Sequence, residues 1–71
     1  MPTDPEIPFR ELVDCRDARG NPIKVGAGAT RGGEVVLLYP SGHVPILNTQ
    51  QATELVTKLR TVIQDAAQRD A

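Results

Sequence analysis

Apolar residues recur along this chain first at intervals of two and then, beyond Asn48, at intervals of three and four, a change of period that predicts a sheet followed by a helix. In FRELVDCR, residues 9–16, Leu12, Asp14 and Arg16 fall on one side of an extended chain and Val13 and Cys15 on the other. That alternation predicts a strand over about 11–16, with a helical turn at its start as the competing reading. Asp17-Ala18-Arg19-Gly20-Asn21-Pro22 is a turn by its chemistry, because Gly20 and Asn21 tolerate positive φ and Pro22 has no N–H for a central ladder. Ile23, Val25, Ala27 and Ala29 then alternate with Lys24, Gly26 and Gly28, predicting a strand over 22–29. Its second half is nearly bare of side chains, so neighbouring groups should approach the backbone closely there.

Arg31-Gly32-Gly33 supplies the next turn, and EVVLLY, residues 34–39, is apolar on both faces: Val35, Leu37 and Tyr39 on one, Val36 and Leu38 on the other. Such a strand is expected in the interior of a sheet. Pro40-Ser41-Gly42 reverses the chain, and HVPIL, residues 43–47, is expected to return as a fourth strand, confined to an edge or a bulge by Pro45. The hairpin of 34–47 is thus the expected anchor of the sheet.

Asn48 reads as a helix N-cap, its side-chain oxygen accepting from the backbone of Gln51 while Gln51 reaches back. Ala52, Leu55, Val56, Leu59, Val62, Ile63 and Ala66 form one apolar stripe over about four turns, so a helix is predicted over about 49–68. Glu54 and Lys58 make an i, i+4 pair off that stripe. The predicted fold is α+β: an antiparallel sheet of three to four strands covered by one C-terminal helix, with residues 9–71 as a single domain. Pro2, Pro5 and Pro8 with Asp4 and Glu6 make residues 1–8 an expected flexible tail.

One helix covers one face of a sheet, so the two-sided strand leaves Val36 and Leu38, joined by Val13 and Cys15, on an apolar patch larger than a monomer usually keeps open. The expected answer is self-association, most simply a homodimer about a two-fold axis. The competing solution is that the leading segment folds over that face through Ile7 and Phe9.

Composition sharpens this expectation. At 71 residues the chain is close to the lower limit for one self-sufficient core, and Phe9 and Tyr39 are its only aromatics. Cys15 is its only cysteine and His43 its only histidine, so neither a disulfide nor a structural zinc site has the residues it needs. The net charge of −1 argues against a broad positive field for nucleic acid. The chain shows no signal-peptide pattern and no apolar run of membrane-spanning length, so it is expected to be cytoplasmic, with no membrane partner.

Candidate chemistry is sparse, and no catalytic, cofactor-binding or metal residue is assigned. His43 follows the Pro-Ser-Gly turn with Ser41 nearby, but no acidic residue adjoins them in sequence, so a surface histidine is expected. Cys15 would be reactive only if exposed beside Arg16; a small buried strand residue is the better reading. The glycines of VGAGATRGG lead into a strand rather than a helix N-terminus, unlike a phosphate loop. Arg16, Arg19, Lys24 and Arg31 surround the first hairpin, and a basic ribbon of this kind can enter a DNA groove.

The stretch GGEVVLLYPSGHVPILNTQQATELVTKLRTVI, residues 32–63, resembles the strand, turn, strand and capped-helix pattern of small actinobacterial and actinophage proteins of unknown function. That resemblance covers somewhat under half the chain, carries no catalytic residue, and implies a cytoplasmic, accessory or regulatory role. The expected function is therefore a non-enzymatic protein-interaction module, with a small nucleic-acid-binding regulator using residues 16–31 as the alternative.

Overall fold

In a computed structural model that describes residues 7–70, β1 (Phe9–Arg16), β2 (Pro22–Ala29) and β3 (Val35–Leu38) are followed by one helix, α1 (Thr49–Asp70). The strands form an antiparallel sheet in the order β1-β2-β3, with α1 packed on one face. The predicted α+β architecture is therefore the one observed. Residues 1–6 of the predicted tail lie outside the described residues.

Two turns of one design hold the strands in register. In the first, Gly20 N–H donates to the Asp17 carbonyl (3.0 Å), Asp17 N–H donates to the Asn21 carbonyl (2.9 Å), and Asp17 Oδ1 accepts from Asn21 N–H (2.8 Å). In the second, Gly33, Thr30 and Glu34 repeat those three bonds, with Thr30 Oγ1 in the place of the carboxylate. Gly20 and Gly33 have φ of 89° and 82°, the left-handed conformation that a bulged hairpin turn needs at this position.

The register pairs Val13 with Val25, Leu12 with Gly26, Ala27 with Leu37 and Gly28 with Val36. Directly paired residues share a face. Phe9, Val13, Cys15, Ile23, Val25, Ala27, Ala29, Val35 and Leu37 therefore lie on the helix side, and Leu12, Gly26, Gly28, Val36 and Leu38 on the outer side.

Two expectations are corrected. The two-sided run of β3 lies at an edge, because a meander of consecutive strands puts the second one in the middle and β2 takes that place. Residues 43–47 do not return as a strand: among them only Ile46 bridges, to Arg16 on the outer edge of β1. Pro45 stands where its nitrogen faces away from β1, a place an edge segment tolerates, and the contact with β1 does not extend beyond the single Ile46–Arg16 pair. The turn at Pro40–His43, where Gly42 has φ of 80°, instead carries the chain from one edge of the sheet to the other. The anchor of the sheet is accordingly the β1–β2 hairpin and not residues 34–47.

The helix begins as its cap predicts. Gln51 N–H donates to Asn48 Oδ1 (2.7 Å) and Asn48 N–H to Gln51 Oε1 (3.0 Å). Its apolar stripe divides on packing: Val62 and Ala66 are buried and Leu55 and Leu59 half-buried, whereas Ala52, Val56 and Ile63 remain exposed. The core has two parts. Ala27, Ala29, Val62 and Ala66 pack with Phe9 and Leu59, and Val13, Cys15 and Val25 with Ile23, Leu47 and Leu55. Among the described residues only Val13 and Val62 are large side chains in full burial, so the core is small. The radius of gyration, 13.0 Å, exceeds the roughly 11 Å of a compact chain of this length, and the molecule measures 39 × 33 × 12 Å.

Candidate interaction surface

The outer face is closed in a way that depends on glycine. A β-carbon added at Gly26 would lie 2.9 Å from Leu12 Cδ2, and one added at Gly28 would overlap Ile7 Cγ2 and lie 3.6 Å from Leu38 Cδ1. The missing side chains leave a notch into which Ile7, Leu12 and Leu38 lie down, which is the close approach expected from the bare half of β2. Val36 and Leu38 are half-buried as a result, and both glycines are buried. Val13, grouped with them from the sequence, lies on the opposite face beneath α1 at 1% exposure, so it is unavailable to a partner. Cys15 shares that position. The leading segment divides between the faces: Ile7 covers the outer one, and Phe9 packs into the core under the helix.

The larger apolar surface is on the helix side, beside β3. Because α1 sits mainly over β1 and β2 and only touches β3, the helix-side residues of β3 keep partial cover: Val35 is 41% exposed and Leu37 65%. Tyr39 continues their alternation at 57%. Lys58 fixes how the helix is turned, since its ammonium donates to the Leu12 carbonyl on β1 at 2.7 Å. Val56 and Ile63 lie about 140–160° around the helix from Lys58, on the flank that faces β3. They too are about half exposed, 48% and 49%. The strand and the helix flank together form an apolar step.

The structure also makes a pairing that is not visible along the chain. His43 Nδ1 lies 2.8 Å from Asp17 Oδ2, across 26 positions, so an acidic group meets in space a histidine that has none beside it in sequence and that is exposed as expected. Asp17 is buried and accepts in addition from Arg19 N–H (2.9 Å), Asn21 N–H and Asn21 Nδ2 (3.2 Å). With a carboxylate acceptor, Nδ1 carries the donated proton. The bond to His43, reinforced by those from Asn21 and Arg19, holds the Asp17 carboxyl well below the usual carboxylate range, against the opposing effect of burial. A cleft of about 250 Å³ opens beside the pair, lined by Arg19, Ser41 and Val44 among others. Among the described residues Ser41 makes no hydrogen bond to His43, so the arrangement fastens residues 40–44 to the first turn without assembling a nucleophile and its base.

Of the four basic residues Arg31 is set apart from the other three. Arg19 is in the first turn and Arg31 in the second, at opposite ends of β2 and about 25 Å of extended chain apart. Lys24 pairs with Asp14 at 3.2 Å, and Arg16 is exposed beside the first turn. Burial pushes the Cys15 thiol up, with the Asp14 charge acting in the same direction and a backbone hydrogen bond from Ile46 opposing it. Cys15 is accordingly a poor nucleophile. No helix among the described residues is long and apolar enough to cross a membrane.

Fold and surface thus define a small three-stranded α+β domain with one covering helix and an apolar step along one sheet edge. No protein-family model, curated protein or solved structure matches the chain.

Proposed function

We propose that this protein is a non-enzymatic interaction module that self-associates, in an accessory or regulatory role of the kind implied by the resemblance of residues 32–63. The observation that carries the reading is the apolar step of Val35, Leu37 and Tyr39 with Val56 and Ile63, left open by a helix that lies mainly over β1 and β2. Side chains of this size expose surface of the order that marks an interaction site on a small protein. The seam proposed from the sequence, Val36 and Leu38, contributes through the same strand, but its own face is half closed by Ile7 and Leu12. The nucleic-acid alternative is less favoured because Arg31 stands about the length of β2 away from Arg19 and Lys24 is paired with Asp14, which interrupts a continuous basic stripe. Sedimentation equilibrium at micromolar concentration tests the reading: a concentration-dependent mass above that of the 7.7 kDa chain is expected, and a clean monomer overturns it.

A further inference from the structure

We infer that the partner is a second copy of this chain, joined edge to edge along β3 about a two-fold axis normal to the sheet; the inference rests on the self-association reading above.

The two edges of the sheet are treated differently. On β1 the outer edge is occupied: Ile46 exchanges two backbone hydrogen bonds with Arg16, at 2.7 and 3.4 Å, and the Lys58 ammonium sits on the Leu12 carbonyl. A lysine at a strand edge is a usual guard against pairing with another chain. On β3 no backbone group of the described residues pairs with the outer edge, and Val35-Val36-Leu37-Leu38 contains neither charge nor proline. An open apolar edge of this kind is a template for strand addition.

Area and core size select a second copy as the occupant. The five side chains of the step expose on the order of 500 Å² per copy, and the seam covers the sides of Val35, Leu37 and Tyr39 that turn toward the second copy together with the backbone edges of both strands. A core with, among the described residues, only two large side chains in full burial is also short of what a chain of this length needs alone. Extending the sheet through the seam would add the missing burial.

Symmetry makes the patch self-complementary. Rotation about an axis normal to the sheet pairs β3 with itself antiparallel and keeps both helices on one side. In a two-fold antiparallel pair, residues facing the same side meet only if the axis passes through a residue. Centring on Leu37 sets it opposite its own copy, Val35 opposite Tyr39 of the second copy, and Val36 opposite Leu38. The result is a six-stranded sheet, β1-β2-β3-β3-β2-β1, in which the two exposed shelves form one floor between the Val56 and Ile63 flanks of the two helices.

The test uses the full chain, with Leu37→Lys at the seam and Val44→Lys as an equally exposed change outside it. Sedimentation equilibrium is expected to show a dimer for the wild type and for Val44→Lys, and a dissociation constant raised on the order of 100-fold for Leu37→Lys, whose charges meet at the axis. A wild-type dimer that Leu37→Lys leaves intact overturns the seam while self-association stands; a wild-type monomer overturns both. Should Leu37→Lys fail to fold, amide hydrogen exchange on the wild type decides. Outward amides of residues 35–39 that gain protection as concentration rises support the seam. Unprotected amides in the associated protein overturn it.

Discussion

Substituting Gly26 by alanine tests the close fit of β1 on β2. The added β-carbon would overlap the carbonyl oxygen of Glu11 and lie 3.0 Å from the Glu11 carbonyl carbon, as well as 2.9 Å from Leu12 Cδ2. Leu12 is partly exposed and can turn away, but Glu11 is backbone within an eight-residue paired strand and moves only if the register moves. Overpacking of this sort costs about 1–3 kcal/mol, and an overlap with main chain belongs at the top of that range. Restricting the unfolded chain returns about 0.4–1 kcal/mol, since no positive φ at this position adds strain. The net loss is about 2–3 kcal/mol, against roughly 3–5 kcal/mol for a domain of this size. Gly28→Ala is the internal comparison. There the overlap is with the Cγ2 of Ile7, a half-buried side chain that can swing aside, and the nearest main-chain atom, the Phe9 carbonyl oxygen, is at a tight 3.2 Å rather than in overlap, so the change should cost about 1 kcal/mol. Urea unfolding followed by far-UV circular dichroism, at one protein concentration, reads both, and Gly26→Ala should lower the midpoint by about 2 M relative to wild type. Equal effects of the two substitutions, or a Gly26→Ala variant within about 0.5 kcal/mol of wild type, would refute the argument.

Val62→Ala should cost about 2 kcal/mol and Ile63→Ala less than about 1 kcal/mol under conditions where the chain is monomeric, because the first is fully buried and its neighbour half exposed; chemical denaturation separates them. Asn48→Ala removes both bonds of the capping box and should cost about 1 kcal/mol, with the first turn of α1 losing protection in hydrogen exchange. Folding holds the Asp17 carboxyl below its ordinary range, so its contribution to stability is complete above about pH 4 and is lost as the pH falls further. Because His43 is the largest cause of that depression, His43→Ala should flatten the acid side of a thermal-stability profile, and an unchanged slope would contradict the pairing.

The elements were legible because each rests on neighbouring residues. The switch from a period of two to one of three and four located β1, β2, β3 and α1, the Asn48–Gln51 box marked the start of the helix, and Gly20 and Gly33 fall where the turns need positive φ. Even the close approach to Gly26 and Gly28 could be expected from the absence of side chains. The apparent fourth strand misled because alternation around Pro45 says nothing about whether a ladder partner is within reach.

What the residue order determines for this protein, then, is local: which segments are extended, which is helical, where they are capped, and that apolar side chains outnumber the cover one helix provides. Which of those side chains stay open was decided by assembly in three dimensions. The meander placed small-residue β2 at the centre and greasy β3 at the edge, the glycine notch let Ile7, Leu12 and Leu38 close the outer face, and the helix settled over β1 and β2. The exposed step and the Asp17–His43 bond both join residues far apart in the chain, and periodicity records only how a residue relates to its near neighbours, so neither had a signature to read.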